Sequence, residues 1–189
     1  MASPTTTANM AVNPQTPLRV DLLGVAIDCL TETQCVGHIL ANIQAGRGGW
    51  VVTANVDHLR RLVKGRDYRT ICQNGTVITA DGMPLIWAAK LKGRPLPERV
   101  TGSNLIWSLS EALGQAQRSV FLLGGNPGTA EGTAKVFSQK YPGLRIAGIT
   151  CPPIGFESNP EYLQQLRHQL VTSQADMVYV ALGSPKQEK

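Results

Sequence analysis

Short apolar runs rich in β-branched residues alternate along this chain with segments of helical period, and that alternation constrains the fold more than any other feature. Residues 18–23, 50–53, 76–79, 119–123, 144–149 and 176–182 read as strands. The segments between them read as helices. Thr31 is placed as the N-cap of one running to about residue 45, with Val36, Ile39, Leu40 and Ile43 on a single face. The next covers 56–64, with Leu59, Leu62 and Val63 inside and His58, Arg60, Arg61 and Lys64 outside. Residues 66–74 read as a helical turn. Pro84 suits the first turn of a helix whose left-handed C-terminal cap falls at Gly93. Ser103 is the expected cap of a helix carrying Leu105, Ile106, Leu109 and Leu113, and two more helices cover 128–140 and 160–172. Strands and helices alternating at this spacing predict an α/β, Rossmann-like, mostly parallel sheet with helices on both faces.

The domain organisation follows from where this pattern starts. Residues 1–17 carry no charged side chain and are rich in Thr, Ala, Asn and Pro, so they read as a disordered tail. Residues 18–189 read as a single core domain, without internal repeat or linker. The tail has neither the basic nor the apolar region of a signal peptide, and no window approaches the ~18 apolar residues that span a bilayer. The balance of 18 Lys+Arg against 13 Asp+Glu gives a net charge of +5, which favours phosphates or an anionic membrane surface. With 5% aromatic residues and no recognisable reading motif, nucleic acid is not an expected partner. Cys29, Cys35, Cys72 and Cys151 form no CxxC, and free buried thiols are the simplest reading.

Polar clusters fall where strands end: Thr53 with Asn55, Asp81, Gly124 with Gly125, and Ser184 with Lys186, Gln187 and Glu188. In a parallel sheet these ends share one edge, so four such turns can converge on one crevice. Gly124-Gly125-x-x-Gly128 before a helix admits two readings: backbone N–H groups approaching a pyrophosphate, or a turn required for tight strand–helix packing. It matches neither named phosphate fingerprint, and no acidic residue stands where a nicotinamide site needs one, so a dehydrogenase is a poor fit. No Asp-x-Asp and no metal-spaced set occurs, hence no metal or other cofactor is expected. His38, His58 and His168 read as surface histidines, and the basic run from His58 to Arg69 as a solvated helix face. Asp81 remains as the carboxylate at the centre of the crevice. It either caps the helix that follows or acts as a general base on a hydroxyl, with Arg99, helix N-termini and backbone amides stabilising leaving-group charge.

Thr53-Ala-Asn-Val-Asp-His58, Ala80-Asp-Gly-Met-Pro84, Pro97-Glu-Arg-Val-Thr-Gly102, Phe121-Leu-Leu-Gly-Gly125 and Ala181-Leu-Gly-Ser-Pro-Lys-Gln-Glu188 together resemble the WecG/TagA/CpsF glycosyltransferase family, in order, from about Leu18 to the last residue. The resemblance implies transfer from a UDP-sugar to a polyprenyl-diphosphate-linked sugar, without a metal, at the cytoplasmic membrane face. Its best-known members transfer N-acetylmannosamine in teichoic-acid or enterobacterial-antigen assembly; others use a glucose or mannosaminuronic acid donor. It implies Asp81 as catalytic base, with inversion at the donor carbon, and Thr53, Asn55, Arg99 and Gln187 as pocket residues. Asn104 departs from the Asp that many relatives carry, and relatives continue well beyond Lys189. On this reading the chain is a core without its C-terminal appendage, expected to fold but to turn over poorly. The resemblance leaves self-association into a homo-oligomer open. A non-catalytic nucleotide-sugar or prenyl-diphosphate binding module is the competing class.

Overall fold

The structure, a computed structural model, describes residues 17–64, 70, 75–184 and 186–188. Among these are seven strands and six α-helices. The chain opens with an antiparallel hairpin, β1 (Arg19–Leu22) and β2 (Val25–Asp28), which was not expected. Its two-residue turn puts Leu23 (φ 56°) and Gly24 (φ 80°) in the left-handed region. A hairpin of this kind usually announces itself by Asn-Gly or Asp-Gly, and Leu-Gly gives no such signal. The second strand therefore reads in sequence as loop.

Five strands then run parallel in two groups. Strand β3 (Val51–Ala54) pairs in register with β4 (Val77–Ala80), and β5 (Ser119–Gly124) lies between β6 (Arg145–Thr150) and β7 (Met177–Ala181). The expected parallel α/β layer is present, with the hairpin as an antiparallel addition. The hairpin is held to β4 by a side chain. The Asp28 carboxylate accepts the Ile78 N–H at 2.7 Å and the Arg19 Nε at 2.7 Å, so a buried acid does what a ladder carbonyl would do. Such a charge is tolerated inside only because it is both paired and hydrogen-bonded.

The helices are α1 (Glu32–Gln44), α2 (Val56–Lys64), α3 (Met83–Leu91), α4 (Gly102–Gln115), α5 (Thr129–Lys140) and α6 (Pro160–Ser173). Thr31 caps α1 through a capping box with Gln34, as the sequence indicates. Alternation along β4 divides the layers. Ile78 faces a core of hairpin, α2 and α3 residues such as Ile27, Leu59 and Leu85, while Val77 faces Cys35, Ile39, Leu105 and Leu109 from α1 and α4. Strand β5 is buried at every position, with Val120 and Leu122 toward α5 and Phe121 and Leu123 toward α6. A strand covered on both faces reads as an unbroken apolar run, which is why Ser119 to Leu123 was so legible. Strand β7 begins at Met177 rather than at Asp176. That carboxylate is spent on the Ser119 N–H (2.8 Å) and hydroxyl (2.7 Å) and on Arg118 (3.2 Å), tying the start of β7 to β5.

Some expectations need correcting or lie outside the described residues. Thr101, not Ser103, caps α4: its hydroxyl accepts the Asn104 N–H at 3.2 Å. Of the described cysteines only Cys35 is fully buried, and burial first, then the nearby Asp28 and Glu32 carboxylates, push its thiol up to about 12. The tail to residue 16, Cys72 and the helical turn at 66–74, apart from Thr70, fall outside the described residues, as do the side chains at 62–64.

Candidate active site at the C-terminal strand ends

Asp81 directly follows β4, and two backbone bonds and one from a side chain fix its place. Its N–H donates to the Ala54 carbonyl at 2.7 Å, which continues the β3–β4 pairing by one residue. The carbonyl of Ala80, just before it, accepts the Val100 N–H at 3.0 Å, so the segment returning from α3 is drawn across the end of the strand. That return is locked by the Thr79 hydroxyl, which donates to the Val100 carbonyl at 3.2 Å. The next residues then start α4 beside Asp81.

The capping alternative fails for α3. Its N-cap is Gly82, at φ 139°, and no side chain caps the helix. The Asp81 carboxylate instead accepts the Gly102 N–H, the first of α4, at 3.4 Å, and it stays partly exposed. A carboxylate at a helix N-terminus is favoured by the partial positive charge there. One long hydrogen bond leaves most of its acceptor capacity for another donor.

Thr53 is brought to the same point. A Cβ built on Gly102 would come within 3.1 Å of the Thr53 hydroxyl oxygen, so that hydroxyl lies against the helix end that Asp81 also touches. Gly102 is thus the hinge of the site, and it was not among the residues expected to build it. Only its partner across the sheet gives it meaning.

A cleft of about 850 Å³ opens beside this cluster, between β3 and β7. Thr53, His58, Gly102 and Gln187 line one end, and Ile39, Leu105 and Leu109 form its apolar floor. His58, expected on the surface, is 8% exposed. The reason is local: Asn55 Oδ1 accepts the His58 N–H at 3.0 Å and lies 2.8 Å from Nδ1, a contact the Nδ1–H tautomer satisfies. Asn55 therefore acts as the cap of α2 and turns the imidazole inward toward the cleft.

The remaining expected residues are arranged less tightly. Arg99 is exposed, one residue ahead of the anchored Val100. Gln187 sits in a short 3₁₀ turn, Lys186–Glu188, held to Glu157 by a Lys186 ion pair of 2.5 Å. Gly124 and Gly125 belong to a packing contact. The Gly125 N–H donates to the Ala181 carbonyl at 2.8 Å, and a Cβ on Gly124 would come within 2.6 Å of that same oxygen. With φ of 98° and 85°, both positions favour glycine for the backbone they adopt. The turn therefore makes a tight packing contact with the end of β7. Among the described residues no three His, Cys, Asp or Glu side chains stand close enough to hold a metal.

A helix-covered parallel layer whose strand ends gather a partly exposed carboxylate, a hydroxyl and a helix N-terminus around a cleft is the α/β class that binds its ligands at that edge. The chain belongs to the glycosyl transferase WecG/TagA/CpsF family, whose sequence pattern matches residues 20–189. Similar curated proteins include the N-acetylglucosaminyldiphosphoundecaprenol N-acetyl-beta-D-mannosaminyltransferases of Bacillus spizizenii and Staphylococcus aureus. The first is 27% identical over 157 residues, covering 82% of this chain and 59% of the relative. The second is 28% identical over 174 residues, covering 90% and 66%. The Bacillus subtilis enzyme of the same name is 27% identical over 145 residues, covering 75% of this chain and 53% of its own length. The chain thus spans less than two thirds of the relatives it matches.

Proposed function

We propose that this chain is the core of an inverting glycosyltransferase that moves a sugar, N-acetylmannosamine by its relatives' names, from a UDP-linked donor to a polyprenyl-diphosphate-linked N-acetylglucosamine. The observation that carries the reading is Asp81: a carboxylate left partly open at a strand end, against the first N–H of α4 and next to the cleft that Thr53 and Gln187 line. In the reaction, an acceptor hydroxyl attacks the donor anomeric carbon while its proton passes to the Asp81 carboxylate. The new C–O bond forms as the bond to the UDP oxygen breaks on the opposite face, so the configuration inverts. Arg99 supplies positive charge for the departing diphosphate, and the α4 N-terminus holds the Asp81 base. Thr53, Asn55 and Gln187 orient the sugar, Asn55 through its hold on His58. Activity without a metal follows, because a base and fixed dipoles do the work, and turnover is expected to persist in a chelator.

Asp81→Asn is the test. It keeps the shape of the side chain and removes the base, so transfer should fall by about 10²–10⁴-fold while donor binding, read by calorimetry with UDP, is retained. Undiminished transfer by Asp81→Asn would remove Asp81 from the chemistry. Binding of the UDP-sugar with no turnover by the unaltered chain would favour a binding module. UDP-glucose and UDP-N-acetylmannosaminuronic acid, assayed alongside, separate the donor alternatives.

A further inference from the structure

Helix α3 buries Leu85 and Ala89 and exposes the opposite face. On that face Met83, Trp87 and Leu91 follow at four-residue spacing and are 42%, 58% and 89% exposed. Such spacing lines up one stripe along a helix. Lys90 falls beside the same stripe, and Lys92 and Arg94 follow immediately, all exposed. From Gly82 to Pro97 there is no acidic residue. An aromatic and two long apolar side chains kept in water, with Lys90 and Arg94 unopposed by any acid of their own segment and Lys92 turned to Asp21 of the hairpin at 3.8 Å, make the pattern of a helix lying in a lipid headgroup region.

We infer that α3 is a docking surface for an anionic lipid bilayer. The charges argue against a second copy of the chain as occupant. A two-fold contact would set this face against itself and gather the Lys90 and Arg94 of both copies into one interface with no acid of this segment to offset them. Three side chains also fall well short of the ~800 Å² per partner that stable interfaces bury. An anionic surface neutralises the same cations and takes the apolar stripe into its acyl boundary. The placement suits the proposed reaction, on which this inference rests for its purpose. Helix α3 starts two residues after Asp81, so seating its stripe at headgroup depth brings the carboxylate to within about one helix length, roughly 14 Å, of a lipid-borne diphosphate.

The experiment is vesicle binding by the whole chain, with phosphatidylcholine alone and with phosphatidylcholine mixed with phosphatidylglycerol. The variant Trp50→Phe/Trp107→Phe leaves Trp87 as the sole tryptophan. Binding to the mixed vesicles is expected, weakening with salt, with Trp87 fluorescence shifted to the blue and quenched by brominated lipid. Met83→Gln/Leu91→Gln and Lys90→Glu/Arg94→Glu should each weaken binding by about tenfold or more with an unchanged circular dichroism spectrum. Absence of binding, binding indifferent to both variants, or self-association abolished by Met83→Gln/Leu91→Gln would each overturn the assignment. Transfer to a water-soluble short-prenyl acceptor keeps the two proposals separate. Met83→Gln/Leu91→Gln should leave it intact, and a chain that binds vesicles through α3 yet transfers to neither acceptor sinks the reaction and spares the surface.

Discussion

Asp81 stands two residues ahead of a helix, where an acid would ordinarily turn back and cap its own N-terminus. Here glycine occupies the cap and the carboxylate reaches a different helix, which frees it from a purely structural duty. Gly102 makes that reach possible by letting Thr53 and the α4 backbone approach closely. Gly102→Val should therefore lower kcat/KM by about 10–100-fold with little change in melting temperature, as a side chain pushes the Thr53 hydroxyl off its position. Steady-state kinetics with thermal unfolding on one sample checks both halves. Asp176 is the contrasting acid. Burial raises its pKa, but hydrogen bonds from the Ser119 hydroxyl and N–H and the Arg118 pair outweigh this and hold it below the ordinary carboxylate value. A depressed folded pKa adds stability above the unfolded value, about 3.9, and that share is lost as pH falls through the folded one. Asp176→Asn should cost about 1–3 kcal/mol near neutral pH and flatten the loss of stability below about pH 4, measured by denaturant titration across pH.

At the scale of elements, the fold depends on close approaches that leave no room for a Cβ. Strands β5 and β6 shift register between Val120 and Phe121, and there the Phe121 ring lies over Gly148. A Cβ on Gly148 would stand 2.4 Å from Phe121 Cε2, and the ring is fully buried. Gly148→Ala should destabilise the chain by about 1–3 kcal/mol, and Phe121→Leu in that background should recover part of the loss in urea unfolding. The hairpin works differently. One acid, Asp28, takes the Ile78 N–H of β4 where a ladder carbonyl would, and the Arg19 guanidinium of the hairpin itself offsets its charge. The hairpin turn places a leucine in the left-handed region, so the sequence hides an element that the backbone makes plain.

The whole molecule is two parallel half-sheets bridged on one face by α1 and α4, whose Ile39, Leu105 and Leu109 pack against Val51 of β3 and Met177 and Tyr179 of β7. Among the described residues β3 pairs only with β4 and β7 only with β5, so each presents an edge to the cleft. Backbone amides on such edges open to solvent more readily than those between two partners. Native-state hydrogen exchange should find the β5 amides the slowest and the cleft-facing amides of β3 and β7 faster, with protection of the latter rising when UDP is added. Equal protection across all five strands would contradict a cleft open between the halves.

Much of this could be read before any coordinates. Alternating apolar periods determined the parallel α/β layer, because burial on both faces writes a continuous apolar run and helix amphipathicity writes its own period. The same residues gave Asp81, Thr53, Asn55 and Gln187 their positions at strand ends, since a parallel sheet sends every such end to one edge. Tertiary structure decided what each does with its neighbours. Which helix Asp81 faces, the inward turn of His58 on Asn55, and Gly102 as the contact between Thr53 and α4 all arise between segments far apart in the chain. So does the bond from the Gly125 N–H to the Ala181 carbonyl, which gives the glycine turn a packing contact. Periodicity records whether a side chain meets water or core. It cannot record which partner waits there, because hydrogen bonds and close contacts are settled only when distant segments meet.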